Sequence, residues 1–330
     1  MKQDELENLW SENTVSSLKN FYKEINSPEK AVKFSKNRSR EEVKIYHNRN
    51  DKNTCVVIPT ANFERFAKTN YWPYISRLDT IVVESNGKYF NYAYSMNSGI
   101  NEALNYGYTN IIISNDDMIP AESIESLEFL VERELNESIL LPRKVRTSPI
   151  DHPTTSNEFY IANRNVVYKF INYINLFKSH HKELKDVLEI TSKFSHFKYS
   201  IFEGTDFRLI NHILKSFLKT ELHKIPLFTS FGIFDANILE KERYDTLFIN
   251  SREDYDLMIR LSTSGIHIER ISFKIADIGG QTMNSYNNNL RIIKDLIGDL
   301  ILNYKLQKYY FKTNEFSANH ETGGNQAVEL

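Results

Sequence analysis

Apolar positions along the chain come in short β-branched blocks separated by amphipathic stretches and polar breakers, the pattern expected where strands and helices alternate. Residues 5–50 carry widely spaced anchors (Leu9, Trp10, Leu18, Phe21 and Tyr22) and read as polar helices and connectors, an accessory layer that packs on the rest of the chain. Residues 54–58 form the first β-branched run, stopped at Pro59, and residues 78–83 form the second, ending in Ser85-Asn86-Gly87. Residues 91–105 place Ala93, Met96, Ile100, Ala103 and Leu104 at helical spacing and close at Gly107. Residues 110–113 give a third strand that runs into Ser114-Asn115-Asp116-Asp117. Residues 121–134 then read as a helix and 138–141 as a fourth strand before Pro142.

Over 159–222 the spacing turns helical, with Val166, Val167, Phe170, Ile171 and Ile174 in one run and Ile210, Ile213, Leu214, Phe217 and Leu218 in another. This stretch reads as a helical insertion or lid. Residues 225–234 are apolar and strand-like, 253–261 are helical and broken at Gly265, and 266–275 alternate as a strand. Residues 289–311 set Ile293, Leu296, Ile297, Leu300, Ile301 and Tyr304 on one helical stripe, expected to pack on the body. The expected fold is therefore α/β, with a mostly parallel central sheet covered by helices on both faces. The expected organisation is a helical N-terminal accessory segment (1–50), a main domain (51–283) with its helical insertion (about 159–222), a C-terminal helix (284–314) and a flexible polar tail (315–330).

Composition narrows the function without choosing it. The chain has 330 residues, 41% hydrophobic and 25% charged, with a formal net charge of −2, so no broad basic surface for nucleic acid is expected. Its single cysteine, Cys55, sits inside an apolar run, which excludes an internal disulfide or a cysteine-based zinc site and suits a reducing, cytoplasmic setting. Residues 1–10 are acidic and polar, unlike a secretory leader. No apolar run approaches the roughly 20 residues that span a bilayer, so any membrane contact is expected to be peripheral.

Candidate chemistry gathers at strand ends, where ligands bind in sheets of this kind. Asp116 and Asp117 follow an apolar strand directly, and two adjacent carboxylates there repel each other unless a cation compensates. A hard ion such as Mg²⁺ or Mn²⁺, with one or two carboxylates and substrate phosphates, fits that need; a solvated turn capping the next helix fits it as well. Glu84 ends the preceding strand, where it either accepts a hydrogen bond from a nucleobase or ribose or faces solvent. Glu253-Asp254 open a helix, placed either to complement the helix dipole or to take a proton from a sugar hydroxyl. Asp277 precedes Gly279-Gly280, which permit close backbone approach to a ligand or form a plain loop. Phosphate-loop, dinucleotide, metalloprotease and serine-hydrolase motifs are missing from the sequence.

Taken in order, these segments resemble the family 2-type glycosyltransferases of the GT-A fold. Val56-Val57-Ile58-Pro59-Thr60-Ala61-Asn62 is similar to that family's first strand and turn, and Ile81-Val82-Val83-Glu84-Ser85 to its second strand and acidic end. Asn97-Ser98-Gly99-Ile100 with Ala103 is similar to the N-x-G-I-x-x-A helix, and Ser114-Asn115-Asp116-Asp117 to the metal-binding D-x-D region. Phe231-Gly232-Ile233-Phe234 is similar to the acceptor-side strand. Residues 252–261 with Gly265 resemble E-D-x-D-L-x-x-R-L-x-x-x-G. The chain departs from the family at Asp277, which stands where the family has histidine, and at Asn-Asp-Asp in place of strict D-x-D.

The resemblance implies an inverting, divalent-metal-dependent transfer of a sugar from a nucleoside-diphosphate donor to a hydroxyl of a glycan, lipid-linked or protein acceptor. It implies Asp254 as catalytic base and Asp117 with Asp277 as ligands of Mn²⁺ or Mg²⁺. It also implies a donor site drawn from Pro59, Thr60, Asn62, Glu84, Asn97, Asp116, Glu253 and Arg260. A nucleotidyltransferase and a non-catalytic sugar- or nucleotide-binding relative are the competing readings. The first of these calls for a Gly- and Lys/Arg-rich loop where Thr60-Ala61-Asn62-Phe63 stands.

Overall fold

The apolar runs become the middle of a sheet because both of its faces are covered. In β2 (Thr54–Thr60) every residue is buried; Cys55 and Val57 enter one core while Val56 and Ile58 enter the other. In β4 (Asn110–Ser114) Ile111 and Ile113 share the first core, and Ile112 the second. A strand buried on both sides needs no polar alternation, which is why these runs are continuously apolar. The structure, a computed structural model, describes residues 1–50, 52–145, 158–163, 184–194, 198–203, 223–228, 230–277 and 288–310.

The remaining strands of the main sheet are β1 (Lys44–Asn48), β3 (Asp79–Glu84), β5 (Met118–Pro120), β6 (Ser138–Val145), β10 (Phe231–Asp235) and β11 (His267–Asp277). Their order is β1-β3-β2-β4-β10-β6-β11-β5. The pairs β2–β3, β2–β4 and β6–β11 are parallel, whereas β1–β3, β4–β10, β6–β10 and β5–β11 are antiparallel. The sheet is therefore mixed, not mostly parallel as its alternation with helices implied. Periodicity reports that a segment is a strand but carries no direction, and β10 enters reversed between β4 and β6.

Two further expectations change. The N-terminal segment has its helices, Gln3–Ser11, Val15–Glu24 and Pro28–Lys36, but it also supplies β1 to the sheet edge. The 159–222 stretch is not simply helical: β7 (Glu158–Asn163), β8 (Tyr199–Glu203) and β9 (His223–Pro226) form a separate antiparallel sheet. The helix Leu184–Thr191 lies between β7 and β8 in the chain. The apolar runs at 166–174 and 210–218 lie outside the described residues, as does the tail from 311 onward.

The helix Asn288–Lys305 packs against the helices Val15–Glu24 and Pro28–Lys36, so the two ends of the described chain share a core. Ile293, Ile297, Leu300 and Ile301 on its expected stripe are fully buried, each contributing roughly 1.5–3 kcal/mol by leaving water. Tyr22 adds a polar tie, donating its hydroxyl to the carbonyl of Ile293 at 2.8 Å. In the same core, the helix Tyr92–Asn105, capped by Asn91, lies close to the sheet through Gly99. A Cβ there would sit 2.4 Å from Val57 Cγ1. Among the described residues no helix is long and apolar enough to cross a membrane. Cys55 is buried and its thiol is pushed far up by desolvation, so it is the inert hydrophobe its surroundings in the sequence suggest.

Candidate active site

The candidate site begins where β2 and β4 part. Their pairing stops at Val57 with Ile113, while β2 stays paired with β3 through Thr60 and Glu84. Pro59, opposite Val83, lies in the stretch no longer paired to β4, where a residue without an N–H interrupts no ladder on that side. The chain proceeds from β2 to β3 on one side and then to β4 on the other, so this gap is the switch point of the parallel half of the sheet. Across it Thr60 donates its hydroxyl to Asp116 Oδ2 at 2.6 Å.

The acidic helix start arrives at the same place. Asn115, beside Asp116, accepts a hydrogen bond from the Tyr92 hydroxyl at 2.9 Å. The Tyr92 pKa is raised well above the phenol range by desolvation first, then by the charges of Asp254, Glu253, Asp116 and Asp117. Tyr92 is half-buried, and the charges of four carboxylates from two distant parts of the sequence act on its hydroxyl. The Asp116 carboxyl is also raised, chiefly by burial, with the Thr60 bond opposing the shift.

Glu253 and Asp254 open the helix Glu253–Thr263 from the strained residue Arg252, at φ 69°. Arg252 is held by Asp299, 2.7 Å from its Nε, and its guanidinium lies over the Tyr255 ring. Burial raises the pKa of Glu253, and the neighbouring charge of Asp254 adds to it. Asp254 is likewise raised by burial, and the Tyr244 hydroxyl opposes the shift. The Tyr244 hydroxyl is a polar neighbour of Asp254 and makes no hydrogen bond to it. Among the described residues, Glu253 Oε2 and Asp254 Oδ1 accept no hydrogen bond. A helix N-terminus favours anions, but here burial outweighs it.

The other expected site residues divide. Glu84 stands at the crevice, yet its Oε2 accepts the N–H of Phe63 at 2.8 Å and so shapes the first loop. Asn62 caps the short helix Phe63–Phe66 through the Arg65 N–H at 2.8 Å. Asn97 grips the backbone of Tyr244, donating to its carbonyl at 2.8 Å and accepting its N–H at 3.0 Å. That makes it a support for the neighbour of Asp254. The Arg260 guanidinium bonds Asp256, Glu242 and the carbonyl of Arg243, away from the crevice. Asp256 in turn accepts from Lys305 and Tyr310, so this face of the helix is a strut.

Asp277 is brought near the acidic turn by its backbone: β11 bulges between Ile271 and Lys274, then pairs with β5 so that Asp277 lies opposite Met118, the residue after Asp117. Gly279, Gly280 and Gln281 lie outside the described residues. Among the described residues no three acidic, histidine or cysteine side chains cluster as a self-sufficient metal site. The donor set still fits a hard divalent ion that takes much of its coordination from phosphate: the donors are carboxylate oxygens, and Asp116 carries a burial penalty that a cation would relieve. A cavity of about 1040 Å³ lies at the opposite end of the sheet around Thr54, Asn110 and Asp235, and none of these carboxylates lines it. Sequence reasoning missed Tyr92 and Tyr244, because a tyrosine at a helix start or in a loop carries no periodic or motif signal.

No family model and no curated protein matches the chain. Among solved structures, S. aureus TarS 1–349 aligns with a TM-score of 0.37 and 12% identity, over 82% of this chain and 75% of that chain. A likeness that slight carries no argument about activity, which rests instead on the chain's own residues.

Proposed function

We propose that the chain is a nucleotide-sugar-dependent glycosyltransferase with its chemistry at the crevice beyond β2 and β4. The observation that carries the reading is the placement of Tyr92, whose hydroxyl bonds Asn115 beside Asp116-Asp117 and whose ring meets that of Tyr244, the neighbour of Asp254. Enzymes that move a charged leaving group and deprotonate a hydroxyl need these two kinds of acid a short way apart.

In this reading Thr60 and the Glu84-shaped loop border the nucleoside side. Asp117, with Asp116 beside it and Asp277 opposite the following residue, would hold Mn²⁺ or Mg²⁺ together with the donor diphosphate. Bound there, the ion supplies charge neutralisation for the departing nucleoside diphosphate. Asp254 takes the proton of the acceptor hydroxyl as that oxygen bonds to the anomeric carbon. The bond from that carbon to the phosphate oxygen breaks, and its electron pair leaves with the nucleoside diphosphate. Attack from the face opposite the leaving group inverts the sugar. The upward shift of Asp254 toward neutrality makes it a stronger base than an exposed carboxylate. General-base help of this kind is worth about 10²–10⁴-fold in rate.

The test is nucleotide binding by thermal shift, using UDP, GDP, dTDP, CDP and ADP with and without Mn²⁺. One diphosphate is expected to give a Mn²⁺-dependent shift that disappears in Asp117→Ala. Asp254→Asn is expected to keep that shift and abolish turnover. Absence of a shift with every nucleotide would refute the reading.

A further inference from the structure

A segment that only covered a sheet would point its apolar side chains inward and its polar ones to solvent. The end of the third helix and the connector after it, residues 35–41, do otherwise. Arg38 is 6% exposed and bonds the Glu7 carboxylate through Nε at 3.0 Å. Its terminal nitrogens go on to the carbonyls of Phe90, at 3.2 Å, and Lys88. Glu41 accepts the N–H of Tyr89 at 2.9 Å. Gly87, at φ +113°, allows that contact, since a Cβ there would lie 2.7 Å from Glu41 Oε1. On its other side Arg40 donates to the carbonyl of Thr246 at 2.6 Å, and the Ser35 hydroxyl donates to the carbonyl of Leu247.

These carbonyls belong to two loops that matter. Residues 85–91 lead into Tyr92, and residues 246–252 lead into Glu253 and Asp254. The loops are also joined to each other. The Asn91 amide donates to the carbonyls of Thr246 and Phe248, at 3.2 and 2.7 Å. Asn250 accepts the Tyr92 N–H at 2.7 Å and donates to the Phe90 carbonyl at 3.3 Å. The connector is the outer member of a frame whose inner members carry the site.

We propose, resting on the transferase reading above, that Arg38 and Arg40 are positioning residues: the N-terminal connector sets the spacing between the Tyr92 loop and the Asp254 loop, and with it the geometry of the transfer step. Arg40 gives the clean test. Its bonds run to the carbonyls of Ser35, Arg38, Ser39 and Thr246, so Arg40→Met leaves no carboxylate stranded. Arg38→Met would strand buried Glu7 and is less informative.

The experiment combines hydrogen exchange on the full chain with hydrolysis of a panel of UDP-, GDP- and dTDP-sugars. In Arg40→Met, residues 90–96 and 246–256 are expected to exchange faster while 138–141 stay unchanged. Turnover falls about 10- to 100-fold, as misplacement near 1 Å does, with nucleoside diphosphate affinity held within about twofold. Arg40→Lys, which keeps one donor for the Thr246 carbonyl, recovers part of the turnover. Exchange changes confined to residues 35–41, or turnover within about twofold of wild type, would overturn the assignment of the arginines while leaving the transferase reading standing. A wild-type chain that neither binds a nucleotide nor hydrolyses any donor overturns both.

Discussion

Replacing Gly298 by alanine, in the interior of the helix Asn288–Lys305, sets two effects against each other. Alanine favours the helix by about 1 kcal/mol over glycine. Its Cβ, however, would lie 2.5 Å from the Ser251 carbonyl oxygen, 2.8 Å from Ser251 Oγ and 2.9 Å from the carbonyl carbon. The first distance is about 0.9 Å short of an ordinary contact, and the obstacle is backbone rather than a flexible side-chain tip. Ser251 has little room to retreat, because Asn250 and Arg252 on either side hold left-handed backbone at φ 56° and 69°. Arg252 is tied back to Asp299 on the same helix at 2.7 Å. Overpacking of this kind typically costs about 1–3 kcal/mol, enough to exceed the propensity gain. We expect a net loss of up to about 2 kcal/mol in urea unfolding. Because Ser251 is two residues from Glu253, we also expect donor-sugar turnover to fall about tenfold or more. A Gly298→Ala protein more stable than wild type by about 1 kcal/mol, with unchanged turnover, would refute the claim that this close approach holds the acidic helix start.

Further outcomes come from the buried polar groups. Burial raises Glu253 to about 8, so the folded state keeps a proton that the unfolded chain gives up, and stability falls as pH rises from the ordinary carboxyl value to that raised one. Glu253→Gln removes that dependence: its stability relative to wild type should improve steadily between about pH 5 and about pH 8, and an equal difference at both would contradict it. Tyr22→Phe deletes the donor to the Ile293 carbonyl and should cost about 1–2 kcal/mol in denaturant unfolding; no loss would show that bond to be dispensable. Glu7→Ala strands the buried Arg38 side chain and should cost about 3–5 kcal/mol, whereas the double variant Glu7→Ala/Arg38→Met should recover part of that; a double variant worse than the single would count against the pair.

Much of the sheet was legible because its central strands are buried on both faces. β2, β3 and β4 begin and end within two residues of where the apolar runs do, and Asn91 caps the helix that the spacing of Ala93, Met96 and Ile100 marked. The short edge strands were not legible. β1 and β5 have too few residues and too little burial to show an alternation, and they exist as strands through their partners β3 and β11. The acidic pairs were legible as chemistry from the residues themselves, and only the family resemblance joined them in one site. Asn97 and Arg260, which the family resemblance put at the donor, spend their side chains on Tyr244 and on Asp256 with Glu242.

Local physics written in the sequence determined which segments are strands and helices and which strand ends carry carboxylates. Burial alone sorts apolar from polar positions, and caps and breakers end the elements. Strand direction, the reversed entry of β10 and the meeting of Asp116-Asp117 with Glu253-Asp254 were decided only in three dimensions. They depend on pairing between segments far apart in the chain, where backbone hydrogen bonds are available in either direction. Packing then selects among them: Gly99 against Val57, Gly298 against Ser251, and Arg38 and Arg40 against two loops.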